Sequence, residues 1–266
     1  MTPAELTDTD IGELAQEMRQ CGKPFAIATV IRTAGATAAK PGAKALLDAD
    51  GTILQGWIGG GCVRNALTKA TARAMSDGQP QLISLHPQDV LQAKGVAAGE
   101  EVEGMRFDRN GCPSKGSIDV FVEMILPLPE LVVFGTSPVA QSLSTLAEGF
   151  QWSISQGTSG LQYSDPPLGQ KRMAVVATQG KEDLASLRSA LVMAADFVAF
   201  VGSRRKFQAL SQKLVAEGMP QARLSAVKAP AGLHIDAVTP EEIALSILAQ
   251  LTQQRRRHLR DDPVAE

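Results

Sequence analysis

The residue types best suited to chemistry gather in Gly56-Trp57-Ile58-Gly59-Gly60-Gly61-Cys62. Three consecutive glycines carry a high ordering cost. A fold keeps such a run where the backbone must take φ > 0, or where something must approach it closely. A strand-like apolar run over 53–58 leads in and a helix-like run over 63–75 leads out. Strand, glycine turn and helix start together leave backbone N–H groups at the positive end of a helix, which suits an anion. Cys62 stands at the edge of this cradle. Taken alone, the same stretch reads equally well as a tight structural turn beside a buried thiol.

A second thiol has similar surroundings. Cys112 lies in Asn110-Gly111-Cys112-Pro113-Ser114-Lys115-Gly116, directly before a strand. Each thiol sits in a glycine loop with a cation near it, Arg64 for Cys62 and Lys115 for Cys112. Two such thiols can hold a soft metal ion or persulfide sulfur, which makes Cys62 and Cys112 the candidate metal ligands. Their separation along the chain leaves their distance in space open, and as unrelated structural thiols they need no further account. There is no Cys-x-x-Cys, no zinc spacing and no Gly-x-Ser-x-Gly. His86, His234 and His258 are scattered and form no evident triad.

Two further anion cradles are expected in the second half. Gly135-Thr136-Ser137-Pro138-Val139-Ala140 joins a short apolar strand to a helix. Of the dinucleotide pattern G-x-G-x-x-G it keeps only the first glycine and the final small residue. The acidic residue expected about twenty positions on is replaced by Gln156-Gly157, so ordinary NAD binding is disfavoured while a phosphate at Gly135 and Ser137 fits. Gly202-Ser203-Arg204-Arg205-Lys206 places a glycine, a hydroxyl and three cations at another helix start. Cations there oppose the helix dipole and lack a stability motive, so an anion site is the expectation. If the folded chain satisfied these amides with its own side chains, the cradle reading would fail.

The elements that position these residues fall into two groups. Residues 8–20 read as an amphipathic helix capped by Asp8 or Asp10 and closed at Cys21-Gly22. Strands are expected over 25–32, 43–47 and 53–58, the last two joined by an Asp50-Gly51 hairpin turn. A helix to about residue 76, a strand over 82–85, a polar irregular stretch over 86–110 and an alternating strand over 117–125 complete an α+β unit with a mainly antiparallel sheet. Pro127-Leu128-Pro129 marks a stiff boundary. This gives a domain over 1–126, a linker over 127–130, a second domain over 131–253 and a charged tail over 254–266. Strands over 131–134, 152–155, 173–177, 197–201 and 224–227 alternate with helices over 138–148, over 181–193, from the 202–206 turn to about 217, and over 243–253. That alternation predicts an α/β, Rossmann-like, doubly wound parallel sheet. Thr239-Pro240-Glu241-Glu242 supplies an N-cap, a first-position proline and a capping-box glutamate for the last helix.

Composition narrows the classes. With 44% hydrophobic and 20% charged residues, the 266-residue chain is globular and long enough for two domains. A net charge of −2 argues against nucleic acid as a bulk partner. No apolar run is long enough to span a membrane, the polar acidic start is unlike a secretory signal, and three cysteines do not make a disulfide framework. A cytoplasmic location is expected.

The whole pattern resembles the XdhC/CoxI family of accessory proteins for molybdenum hydroxylases. In the first half the resemblance rests on Thr29-Val30-Ile31-Arg32-Thr33-Ala34-Gly35, Lys40-Pro41-Gly42-Ala43 and Ile58-Gly59-Gly60-Gly61-Cys62. In the second half it rests on Phe200-Val201-Gly202-Ser203-Arg204-Arg205-Lys206, Ala229-Pro230-Ala231-Gly232-Leu233 and Thr239-Pro240-Glu241-Glu242-Ile243-Ala244. It implies a maturation factor that holds molybdenum cofactor for sulfuration and delivers it to an apo-enzyme, carbon monoxide dehydrogenase or xanthine dehydrogenase. It implies an adenine or other nucleotide in the C-terminal domain, and as partners the apo-hydroxylase, a cysteine desulfurase or AAA-type ATPase, and a second copy in a homodimer. Three places depart from the commonest pattern. The loop Gly35-Ala36-Thr37-Ala38-Ala39 lacks Ser and Arg, Arg64-Asn65 replace a glutamate after the thiol, and the Rossmann turn reads Gly135-Thr136-Ser137-Pro138. The last, with Cys112-Pro113-Ser114-Lys115-Gly116, is similar to the carbon monoxide dehydrogenase (CoxF-type) branch, where copper or persulfide handling by the thiols would have a use. A nicotinamide-dependent oxidoreductase and an adaptor with vestigial pockets are the rival readings.

Overall fold

The computed structural model describes residues 3–113 and 115–257, residues 3–10 by their backbone alone. Ser114, His258 and the tail beyond residue 257 lie outside the described residues. The chain divides between Pro127 and Leu128 into two compact units.

The N-terminal unit opens with α1 (Pro3–Gln20), longer than the expected 8–20, so Asp8 and Asp10 lie within the helix and cannot cap it. The strands β1 (Phe25–Ala34), β2 (Lys44–Asp48) and β3 (Ile53–Gly56) follow, then α2 (Gly61–Asp77) and β4 (Gln81–His86). The stretch expected to be irregular instead carries α3 (Gln88–Lys94), β5 (Glu101–Val102) and β6 (Met105–Arg109) before β7 (Ser117–Ile125). The seven strands form one sheet in the order β3-β2-β1-β7-β4-β6-β5, antiparallel except for the β4–β6 pair. Alternation along the strands sends Ala26, Ala28, Val30, Ile83, Leu85, Ile118, Val120 and Val122 to one face, where Val63, Ala66, Leu67 and Ala70 of α2 bury them. On the other face α1 packs Ile11, Ala15 and Met18 onto Phe25 and Leu46.

The β1–β7 register slips between Val30 and Arg32, leaving Ile31 as the extra residue. Such a bulge turns the following side chains to the opposite face. Arg32 therefore leaves the α2 face and pairs with Asp119 on the other.

The C-terminal unit contains β8 (Glu130–Phe134), α4 (Pro138–Glu148), β9 (Ser153–Gly157), β10 (Arg172–Val176), α5 (Asp183–Val192), β11 (Phe197–Phe200), α6 (Arg204–Ala216), α7 (Gln221–Ser225) and α8 (Pro240–Arg255). Residues 224–227, expected as a strand, instead end α7 and continue to an isolated bridge between Ala199 and Lys228. The four strands are parallel in the order β11-β10-β8-β9. Both faces are covered. Leu143 and Ala147 of α4 with Ile247 and Leu251 of α8 cover one, and Leu187 of α5 with Leu214 of α6 cover the other. This is a doubly wound α/β sheet whose order reverses between β8 and β10. Arg255, assigned to the charged tail by sequence, instead ends α8, lies over the Trp152 ring at 4.9 Å and donates to the Phe150 carbonyl at 3.2 Å.

Candidate functional site

The glycine turn after β3 is shaped by two different demands. Gly59 has φ 137°, and a Cβ there would lie 2.8 Å from Val63 Cγ2. Conformation and packing both require glycine at that position. Gly60 and Gly61 are different. Neither has positive φ, and a Cβ at either would meet nothing within 4 Å. The protein's own packing does not require glycine at either position. Gly60 is the N-cap of α2 and offers no side chain to the first-turn amides.

This turn forms one wall of a cavity of about 420 Å³, and the loop after β6 forms another. That loop is built around Asn110. Its N–H donates to the His86 carbonyl at 2.7 Å, its Nδ2 donates to the Gly116 carbonyl at 2.6 Å, and its Oδ1 accepts from the Cys112 N–H at 3.0 Å. Gly111 lies against Cys62, since a Cβ on it would be 3.6 Å from Sγ. Cys62 and Cys112, 50 positions apart in sequence, thus line the same cavity. Cys62 is half-buried and Cys112 is exposed, and both are reduced. Cys21 is exposed at the end of α1 and does not line the cavity. Among the described residues no group of three His, Cys, Asp or Glu could hold a metal ion. A soft ion here would have two thiols from the protein, a donor set that suits Cu(I) better than zinc.

The expected anion cradles of the C-terminal unit are arranged otherwise. Gly135, at φ 100°, is required by the close approach of β8 and β10, because a Cβ there would lie 2.6 Å from the Ala177 carbonyl oxygen. Gln156 Nε2 donates to the Gly135 carbonyl at 3.0 Å. Ser137 caps α4, accepting from the Ala140 N–H at 3.2 Å, and Pro138 has no N–H. Ser203 likewise caps α6 by accepting from the Lys206 N–H at 3.2 Å. Gly202 lies against the Phe200 ring, which a Cβ would meet at 2.6 Å.

Lys206, expected to face an anion, is engaged within the protein. Its Nζ lies 2.5 Å from Asp183 Oδ2 and 5.8 Å from the centre of the Phe200 ring. Asp183 also accepts from the Thr178 hydroxyl and, at 3.1 Å, from the Gly180 N–H. Burial pushes its carboxyl up, but these donors, Lys206 foremost, outweigh burial and hold it below the usual range. The stability motive that the dipole argument denied to Lys206 is this ion pair. Arg204 and Arg205 remain exposed at the start of α6.

A constellation that residue types alone did not reveal occupies the face of the N-terminal sheet opposite α2. Arg32 on β1, Ser117 and Asp119 on β7, and Ser84 and His86 on β4 lie side by side on three adjacent strands. Arg32 Nε donates to Asp119 Oδ2 at 2.6 Å. Ser84 donates to Asp119 Oδ1 at 2.5 Å. His86 lies 2.8 Å from Ser84 through Nε2 and 2.7 Å from Ser117 through Nδ1, and its ring stacks on Phe107 at 6.0 Å. The only sequence signal was the pair of polar residues at alternating positions in each of two strands.

The molecule thus combines an antiparallel α+β unit, carrying a thiol-lined glycine pocket, with a parallel doubly wound unit. Residues 131–251 match the XdhC Rossmann domain, and residues 18–86 match the XdhC and CoxI family. The chain belongs to the XdhC/CoxI family. It is similar to the uncharacterized protein YqeB of Escherichia coli (strain K12), with 24% identity over 90% of this chain; the chain spans 45% of that relative's length. A crystal structure of a xanthine dehydrogenase from Bacillus halodurans aligns over 100% of this chain and 98% of its own, at 19% identity and a TM-score of 0.43. No helix among the described residues is long and apolar enough to cross a membrane.

Proposed function

We propose that this chain is a maturation factor for a molybdenum hydroxylase, of the carbon monoxide dehydrogenase type, and that its N-terminal pocket holds the cargo. The observation that carries this reading is the meeting of Cys62 and Cys112 on one cavity whose third side is bare glycine at an uncapped helix start. Molybdenum cofactor combines a phosphate with dithiolene sulfur. Gly60, Gly61 and the first-turn amides of α2 suit the anionic part, and the thiols suit sulfur or copper cargo. When bound, the cofactor would bring the dithiolene that carries molybdenum; Cys62 and Cys112 would hold or pass the sulfur or copper beside it. The assignment to the carbon monoxide dehydrogenase branch rests on the sequence around Cys112 and Gly135. A nucleotide in the C-terminal unit would lie at the strand-order reversal between β8 and β10. The serine cradles expected there do not supply its site, because Ser137 and Ser203 cap their own helices, Gly202 packs against Phe200 and Lys206 is retained by Asp183. The exposed Arg204 and Arg205 are what remain for its phosphates. A cysteine desulfurase and the apo-hydroxylase are the partners this role requires.

The test is maturation in cells. Cys62→Ser and Cys112→Ser variants are expected to leave the target hydroxylase with full molybdenum cofactor but deficient in sulfur or copper, while Cys21→Ser behaves as wild type. A fully active hydroxylase made with both variants would overturn the reading.

A further inference from the structure

The polar constellation on the other face of the N-terminal sheet borders a second cavity, of about 430 Å³, separate in its lining from the thiol pocket. Arg32, Lys94 and Lys115 contribute three cations to its wall and Asp119 the one carboxylate. Asp119 is already held by Arg32 and Ser84. Lys94 and Lys115 are exposed and form no ion pair among the described residues. An excess of positive charge around a recess attracts an anion.

The hydrogen bonds behind this wall have a fixed direction. A carboxylate only accepts, so the Ser84 proton points to Asp119 Oδ1. Ser84 Oγ must then accept from His86, which places the ring proton on Nε2. Nδ1 is left bare and accepts from the Ser117 hydroxyl. With His86 neutral, Ser117 therefore turns its lone pairs, not its proton, toward the cavity. Protonation of His86 at Nδ1 reverses that last bond: Nδ1–H donates to Ser117 Oγ, and the Ser117 O–H is released to point outward.

We propose that this cavity binds a tetrahedral oxyanion, a sulfate or the phosphate of a monoester, on Lys94, Lys115 and Ser117, and that binding draws one proton onto His86. The linkage has a clear electrostatic basis. The groups facing His86 are Asp119 and Ser117 on β7, Ser84 on β4, Phe107 and the His86 register partner Arg109 on β6, Arg32 on β1 and Lys94 on α3, with Lys115 on the same cavity wall. Burial, then Lys94 and Arg32, push the imidazole down from its ordinary value, against the opposing pull of Asp119. An anion seated between the cations and the ring removes their repulsion and favours the imidazolium. The free protein holds His86 neutral and the loaded protein holds it charged. The anion receives a hydroxyl proton it would otherwise lack.

The test uses sulfate, whose charge does not change near neutral pH, on the full chain. Calorimetry in two buffers of different ionisation enthalpy is expected to show about one proton taken up per sulfate bound. Affinity is expected to fall roughly tenfold per pH unit through the interval above the free His86 value, the slope that one linked proton requires. Lys94→Ala with Lys115→Ala, both at exposed positions that leave the fold intact, is expected to weaken binding more than tenfold. His86→Gln is expected to flatten the pH dependence. Glycerol phosphate separates the sources: tighter binding than sulfate at one pH marks a monoester site, and equal binding a site for free oxyanion. Binding that is absent at millimolar sulfate, independent of pH, or indifferent to the lysine pair would overturn the proposal.

Discussion

The Cys62 thiol lies against Gly111, close enough that a Cβ on that glycine would stand 3.6 Å from Sγ. The neighbour of Gly111 in sequence is Cys112, so the contact brings the two thiol loops to a common cavity. A reagent that needs two sulfurs, such as phenylarsine oxide, is expected to bind once per chain and to resist displacement by a monothiol. Cys62→Ser or Cys112→Ser should each abolish that resistance and Cys21→Ser should leave it. Intact-protein mass spectrometry reads the outcome, and retention of the arsenical by either single variant would separate the thiols.

The three glycines before Cys62 predict opposite responses to alanine. Gly59→Ala forces a side chain to φ 137° and into Val63, and is expected to destabilise by about 1–3 kcal/mol. Gly60→Ala and Gly61→Ala meet nothing and keep allowed φ values. Their stability is expected to stay within about 1 kcal/mol of wild type, with Gly61→Ala on the favourable side because α2 begins there. If the bare positions serve a ligand, these two silent variants lose cargo binding at wild-type stability, while Gly59→Ala loses stability. Thermal denaturation together with pterin content after anaerobic purification distinguishes the cases.

Local signals made part of this architecture legible. The strand over 117–125 and the helix cap at Thr239 follow from alternation and cap chemistry, which depend on a few adjacent residues. Elements held by distant contacts were not legible. The helix α3 buries Leu91 and little else, and β6 is a short charged strand whose order comes from pairing with β4. The Arg32–Asp119 pair spans 87 positions and depends on a bulge at Ile31, so no spacing rule could join it to His86. The meeting of the two thiols was hidden for the same reason. At Lys206 the residue type was informative but its partner was not: Asp183 opens another helix and is selected by the β10–β11 pairing.

Ser137 and Ser203 act on their own helices, which sets their expected energetics. Each accepts from a first-turn N–H at 3.2 Å. Alanine at either position is expected to cost about 1 kcal/mol of stability in urea unfolding, the usual value of a serine cap. Nucleotide affinity, if the C-terminal unit binds one, should change less than threefold on Ser137→Ala. A loss of affinity without a loss of stability would instead give the hydroxyl to the ligand.

The Asp183–Lys206 pair carries a pH signature. The Asp183 carboxyl is buried, which opposes its charge, yet Lys206, Thr178 and the Gly180 N–H hold it below its ordinary value. A group whose folded value is depressed adds stability above its unfolded value, near 3.9 for aspartate, and that stability is lost as pH falls through the lower folded value. Asp183→Asn is therefore expected to cost about 1–3 kcal/mol at neutral pH, the range for breaking a charged hydrogen-bonded contact. Lys206 keeps 38% of its side chain exposed and stays solvated when unpaired, which holds the cost below that of a fully buried pair. The gap between wild type and variant should begin to narrow below about pH 4, where the unfolded carboxylate takes up its proton, and close as pH falls through the lower folded value. Urea unfolding at both ends of that range measures it. A gap that stays constant down to about pH 2 would mean that Asp183 stabilises the loop through geometry alone and that its charge, and with it the hold on Lys206, contributes nothing.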